Sequence, residues 1–324
     1  MRAIILAAGM GTRLKPLTDF MPKCLTEVNG KAILSNMLEN LENAGVKETT
    51  IVVGYLKDKI KEIIGEKFGD MKISYVENSI YDKTNTSYSL KLGLKEIPNN
   101  EDLLILEGDV FFEKSVLEKA LAKEFENTTI VQKYSPELDG SFVEVSNGSV
   151  VDWVHKKVRP AGFVIEDKYK TVNIHKFSSN FVEKYLMPTL EKHISASNGT
   201  EPIEYIMQDI VANNGAKINA IETGKSKWFE IDDANDLKIA EKLFSEDGEK
   251  PSIDKVRSFH GGYWRHKHID FHYLFNHYFP TPDFYNELAK NLSNIGNYYP
   301  SSQKILAELF AKWKDEDYFN ADKR

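Results

Sequence analysis

The opening stretch MRAIILAAGMGTRLKPLTDFMPKCL, residues 1–25, decides the fold. Ala3 to Ala8 form a continuous apolar run, after which LAAGMGTR (6–13) breaks into Gly9 and Gly11 and then Arg13. A short apolar run with no polar alternation is the pattern of a strand buried on both faces, as in a parallel sheet covered by helices. In such sheets ligands collect outside the carboxyl ends of the strands. Glycines placed there let the backbone approach a phosphate and offer it N–H donors. A tight turn that holds nothing would use the same two glycines.

Downstream segments repeat the strand and helix alternation. In KAILSNMLENLENAG (31–45), Ile33, Met37, Leu38 and Leu41 recur at helical spacing before Gly45. TTIVVGY (49–55), KISYVE (72–77) and LLILEGD (103–109) read as strands, with KDKIKEIIGEKF as a helix between the first two. This pattern predicts an α/β fold, a doubly wound and mostly parallel Rossmann-like sheet. Between about 128 and 176 the segments TIVQKY, SFVEVS, SVVDWV and TVNIHKF are closely spaced and separated by Asp139-Gly140 and Asn147-Gly148. They predict an inserted antiparallel β-hairpin region near the edge of the sheet. Helical spacing returns in FVEKYLMPTLEKHI and IEYIMQDIVAN, and WFEIDDANDLKIAEKLF reads as a turn opening a helix.

Composition limits the classes of function. The chain has 324 residues, 41% hydrophobic and 28% charged, with a formal net charge of -7. That balance suits a globular protein of more than one domain and argues against nonspecific nucleic-acid binding, which requires a basic field. An anionic ligand must instead meet locally placed cations. No apolar run approaches the roughly 20 residues that cross a bilayer, so no membrane partner is expected. The lone Cys24 excludes an internal disulfide and, with no recognisable leader, a cytoplasmic protein is expected.

The spacing after the glycine turn adds specificity. GxGTRL is followed seven residues later by Pro22-Lys23, close enough for a loop to fold back over one site. Arginine offers a fork to phosphate oxygens, whereas lysine is a point charge able to follow charge as it develops. This element resembles the signature loop of the nucleotidyltransferases that join a phosphate-bearing small molecule to a nucleoside triphosphate. The resemblance runs over residues 1–245. It continues through Gly30-Lys31-Ala32-Ile33-Leu34, IVVGY and LEGDVFF, and closes on FEIDDANDL. It implies a nucleotide held by Leu6, Ala7, Ala8, Gly9, Gly11 and Thr12, with Arg13 and Lys23 as the catalytic cations. It also implies Mg²⁺ bound by Asp109 and Asp232, since two anionic reactants must be brought together. Read locally, Asp109 could instead be the Asp of a Gly-Asp turn and Asp232 an N-cap, and Asp233 rivals Asp232 for the metal. Such chemistry needs no covalent intermediate, so Cys24 is expected to be a small buried residue.

Within that family DKTNTSYSL (82–90) resembles the segment of the enzymes that load phosphocholine and related amino-alcohol phosphates onto CTP. Asn85, Ser87 and Ser89 are therefore candidates for nucleotide contacts, against the alternative of a polar loop capping the next helix. For the acceptor, Lys156, Lys157 and Arg159 would meet its anion. Glu204, Tyr205 and Asp209 share a helix face that would surround an amine, and Trp153 would offer a cation–π face. From His260 onward, the run beginning IDFHYLFNHYFPTPDFY resembles the opening segment of pyridoxal-phosphate aminotransferases, without reaching a Schiff-base lysine. The expected organisation is a nucleotidyltransferase domain at 1–245, a linker at 246–258 and an aminotransferase-like stub at 259–324, the truncated start of a fused domain. Together the two resemblances imply CMP transfer from CTP to 2-aminoethylphosphonate, with phosphocholine, phosphoethanolamine or a sugar 1-phosphate as rival acceptors. A nucleotide-binding regulatory domain without turnover is the reading from another class. Apolar residues such as Leu306, Leu309 and Phe310 would pack on the first domain or on a second copy, which leaves a homo-oligomer open.

Overall fold

A computed structural model describes residues 1–245 apart from 99, 136–137, 161–162 and 214. Residues 246–324, where a linker and an aminotransferase-like stub are expected, including Leu306, Leu309 and Phe310, lie outside the described residues. Among the described residues no helix is long and apolar enough to cross a membrane.

The apolar run at the N-terminus is strand β1 (Arg2–Ala7), and every residue from Ala3 to Ala7 is buried. Its alternation explains the layering. Ala3, Ile5 and Ala7 join one apolar core, while Ile4 and Leu6 join a second on the opposite face. β1 pairs in parallel with β2 (Glu48–Val53), and β2 in parallel with β3 (Met71–Glu77). On its other side β1 pairs in parallel with β4 (Leu103–Glu107). The chain therefore winds outward from β1 in one direction and then returns to its other edge, which opens a crevice at the carboxyl ends of β1 and β4. Helix α1 (Ile33–Asn43) supplies Ile33, Met37, Leu38 and Leu41 to the first core, as its periodicity predicted. Helix α2 (Lys57–Ile64) follows β2, and α3 (Thr86–Leu94) contributes Leu90 and Leu94 to the second core.

Beyond β4 the sheet is mixed. A short antiparallel β5 (Val110–Phe112) leaves it, helix α4 (Lys114–Ala120) follows, and β6 (Thr128–Lys133), β7 (Phe142–Ser146), β8 (Ser149–Val154) and β9 (Tyr169–Phe177) rejoin it. Of the stretch expected at the sheet's edge, β7 and β8 do form an antiparallel pair at one end of the sheet, whereas β6 and β9 are woven into it. β9 lies between β4 and β6 and runs antiparallel to both, so half of the ten-stranded sheet depends on it. The expectation of a mostly parallel sheet is corrected accordingly. Buried groups on both sides of β9 need an interior strand there, and the local spacing of its residues does not reveal which neighbours it has. Helices α5 (Met187–Ser197) and α6 (Ile203–Asn213) cover the second face, and β10 (Asn219–Glu222) pairs in parallel with β6. Finally β11 (Trp228–Glu230) pairs antiparallel with β5, setting Val110 opposite Glu230, and leads to α7 (Ala234–Leu243).

Candidate active site

The glycine turn starts where β1 ends. Gly11 has φ 59, a left-handed conformation that favours glycine, and a Cβ built there would lie 2.8 Å from Lys23 Cβ. The turn is thus packed directly on the Pro22-Lys23 segment. Thr18 Oγ1 donates to Gly11 O at 2.8 Å, and the Tyr55 hydroxyl donates to Thr18 O at 2.8 Å. These bonds tie the loop to the end of β2.

Lys23 reaches the carboxyl end of β4. Its Nζ donates to Asp109 Oδ2 at 2.7 Å and to Asp232 Oδ1 at 2.8 Å. Burial by itself would lower the Lys23 pKa, but the Asp109 and Asp232 carboxylates outweigh it and hold the ammonium above its ordinary value. Arg13 reaches Asp232 Oδ1 at 2.8 Å from the exposed side. Burial would raise Asp232, yet Lys23 and Arg13 hold it below the usual carboxylate range. The two aspartates are 123 positions apart in sequence, and the β5 to β11 pairing brings them together, extended by the hydrogen bond from Ile231 N–H to Asp109 O at 2.9 Å.

The rivalry between Asp232 and Asp233 has a local cause. Asp233 is the N-cap of α7, accepting from the N–H groups of Asn235 and Asp236, while Asp236 accepts from Asp233 N–H in a reciprocal capping box. That leaves the Asp232 carboxylate turned toward Lys23. A third carboxylate joins them, for Asp109, Glu230 and Asp232 each place an oxygen within 4.8 Å of the others. One oxygen of Asp109, Oδ1, is buried without a hydrogen-bond partner. A buried orphan oxygen in a triad of hard oxygen ligands is what a divalent cation such as Mg²⁺ would satisfy. Glu230 escaped the sequence reading, although strand alternation puts residues 230 and 232 on one face.

Two cavities meet at Arg13 and Asp232. The first, about 320 Å³, is lined by Leu6, Ala7, Gly9, Gly11 and Thr12 from the turn, with Asn85 and Thr86 at the start of α3 and Lys23 and Asp109 at its floor. Ala8 faces away, its carbonyl accepting from Tyr55 N–H. Asn85 caps α3 through Thr86 N–H and also lines the cavity. Ser87 and Ser89 are corrections. Ser87 is buried and donates to Glu201 O, while Ser89 is buried and accepts from Asn78 Nδ2 at 3.1 Å. Both hydroxyls brace α3, Ser87 against the segment before α6 and Ser89 against Asn78.

The second cavity, about 190 Å³, is lined by Arg13, Lys156, Lys170, Trp228, Glu230 and Asp232 among others. Lys156 stands there 3.5 Å from Asp139. Lys157 is not among its lining residues, and Arg159 turns to Gly140 O and Asp139. Trp153 is a further correction. It is completely buried in the second core against His175, with ring centroids 5.6 Å apart and its Nε1 unpartnered, so it has no face to offer a cation. Glu204 accepts from Ser141 Oγ at 2.8 Å, and Tyr205 meets His155 edge-on at 5.3 Å; neither lines either cavity. Asp209 is taken by Lys192 and His193. Glu107, two residues before Asp109, was also missed. Burial first, then the charges of Glu204 and Asp109, raise its pKa well above the ordinary value. Cys24 is buried and its thiol is pushed up to about 12 by that burial, as befits an inert packing residue.

Comparison with known proteins places this geometry. Residues 2–237 match the family model described as nucleotidyl transferase. The chain is 32% identical over 311 residues to the CMP-5'-(3-aminopropyl)phosphonate synthase of Streptomyces rubellomurinus, covering 96% of this chain and 49% of that protein. The chain thus spans about half the length of that relative. It is 30% identical over 259 residues to the CTP:phosphoglutamine cytidylyltransferase of Campylobacter jejuni, covering 74% of this chain and 98% of that protein. Among solved structures, the CTP:phosphocholine cytidylyltransferase of Streptococcus pneumoniae shares the fold at a TM-score of 0.60 and 22% identity, over 75% of this chain and 99% of that one.

Proposed function

The chain belongs to the nucleotidyl transferase family, and from that premise we propose that it transfers CMP from CTP to 2-aminoethylphosphonate, releasing pyrophosphate. The observation that carries the transfer itself is Lys23, held between Asp109 and Asp232 where two cavities meet. The first cavity has the backbone turn and the α3 start that suit a nucleotide. The second sets Arg13, Lys156 and Lys170 among five carboxylates, and these three cations are the groups that would meet an acidic phosphorus group.

In this reading an acceptor oxygen attacks the α-phosphorus in line while pyrophosphate departs on the other side. The turn at Gly9 to Thr12 binds the triphosphate through backbone N–H groups, and Arg13 orients it from the solvent side. Lys23 stabilises the charge that grows on the α-phosphate, and its ammonium stays charged throughout because its pKa is raised. Asp109 and Asp232, with Glu230 beside them, would hold Mg²⁺, which when bound offsets the repulsion between two anionic reactants. Lys156 receives the acceptor anion.

Support for an amino-phosphonate acceptor comes from the likeness to the CMP-5'-(3-aminopropyl)phosphonate synthase of Streptomyces rubellomurinus and from the resemblance of the stretch after residue 259 to aminotransferases, which suits an amine installed by transamination. The experiment is pyrophosphate release with CTP and Mg²⁺. It offers 2-aminoethylphosphonate, 3-aminopropylphosphonate, phosphocholine, phosphoethanolamine and glucose 1-phosphate in parallel. Release dominated by an aminoalkyl phosphonate is the expected result; dominance of a phosphate ester keeps the transfer chemistry and overturns the phosphonate assignment. A melting-point screen of CTP, UTP, GTP and dTTP tests the base, because a ligand that binds only the native state raises its midpoint.

A further inference from the structure

Lys170 is a charged side chain only 2% exposed, and a buried ammonium is unfavourable unless it is paired and hydrogen-bonded. It lies on β9, the antiparallel strand beside β4. Its Nζ is 2.8 Å from Glu230 Oε2 and donates to Thr171 O at 2.6 Å. Burial would lower its pKa, but Glu230, Glu204 and Glu107 outweigh that and keep it charged. Gly140, at φ 121, passes so close that a Cβ there would lie 2.7 Å from Lys170 Cε. The loop thus closes over the lysine stem at a residue with no side chain.

The lysine is placed as the counterpart of Lys23. Lys23 pairs with Asp109 and Asp232 at the floor of the first cavity, and Lys170 pairs with Glu230 in the wall of the second. The three carboxylates lie between the two ammonium groups. An ammonium has three donors, and among the described residues Lys170 Nζ meets Glu230, Thr171 O and, at 5.9 Å from its centroid, the Trp228 ring. Arg13 and Lys156 line the same cavity, together with the carboxylates of Asp139, Glu230, Asp232, Asp233 and Asp236, so an anion entering it is met by three individually placed cations rather than by a basic field.

We propose that Lys170 binds the phosphorus-bound oxygens of the acceptor, fixing the attacking group on one side of the carboxylates as Lys23 fixes the nucleotide on the other. This rests on the nucleotidyl-transfer reading. The competing role is a plain counter-ion that keeps Glu230 in place. That role predicts a different signature, since a lysine needed only to neutralise Glu230 becomes dispensable for both ligands once Glu230 is replaced by glutamine.

The test is calorimetric titration with methylphosphonate, carried out on the full chain with Mg²⁺ and a non-transferable CTP analogue. With wild type as reference, it compares Glu230→Gln with Glu230→Gln/Lys170→Met, so that neither variant carries an unpaired Glu230 charge. Loss of one charge-assisted contact should weaken methylphosphonate about tenfold and leave affinity for the analogue within about twofold. Lys170→Gln in the same background, of similar volume and polar, gives the same split if the methionine variant does not fold. Unchanged methylphosphonate affinity, a parallel loss of both ligands, or a wild type that binds the analogue but no methylphosphonate would each overturn the assignment of Lys170. A wild type that binds no CTP analogue would instead sink the nucleotidyl-transfer reading, and the role of Lys170 with it.

Discussion

The two cavities that meet at Asp232 are built by different means. The first is built around one contiguous turn, Leu6 to Arg13, with Lys23 folded under it and residues at 85–86, 107–109 and 232 closing it. The second is made from five separate segments, at 13, 138–139, 156, 170 and 228–236, with no contiguous turn at its centre. A site built around a turn demands glycine at its tightest point, so it leaves a motif. A site made of distant segments leaves only isolated charged residues in otherwise ordinary strands.

The comparison can be broken most severely at the seam. Asp109→Asn should reduce turnover roughly 10²- to 10³-fold, because it removes the charge of an oxygen without a protein partner and that of the oxygen paired with Lys23. Retention of most activity in a steady-state assay would remove Asp109 from the cation site. Lys23→Ala should lower kcat by about 10²-fold and raise the KM for CTP far less, as expected of a contact made chiefly in the transition state. A defect confined to KM would make Lys23 a simple binding residue.

Gly11→Ala addresses the turn-built cavity alone. The new Cβ would press on Lys23 Cβ in a left-handed conformation, costing about 1–3 kcal/mol. The KM for CTP should rise by about tenfold or more, with the KM for the acceptor little changed. Equal effects on both substrates would show that the two cavities are not independent. At the small end, Trp153→Phe should change acceptor KM by less than about twofold, since the indole touches neither cavity and its Nε1 bonds to nothing. A large kinetic effect would mean that packing behind β8 controls the acceptor side.

Much of the first cavity was legible because its physics is local. The apolar run, the paired glycines, Arg13 and Pro22-Lys23 all lie within 25 residues, and helical and strand periodicities recovered the elements around them. Asp109 and Asp232 were legible as chain positions that end apolar strands. Their partner Glu230 could have been read from the two-residue period of the strand. Ser87, Ser89 and Trp153 misled because a polar or aromatic residue near a motif carries no mark of the direction it faces. Ser87 and Ser89 brace α3, and Trp153 fills the core.

The sequence by itself determined the layered α/β pattern, the turn after β1 and the cations that attend it, since each follows from spacing along a few tens of residues. Only the tertiary structure decided that β9 runs between β4 and β6, which carries Lys170 to the second cavity. It alone decided that β5 pairs with β11, which sets Asp109 beside Glu230 and Asp232. Strand pairing is a contact between distant segments chosen by the packing of whole faces, and no local spacing encodes which strand will be the neighbour.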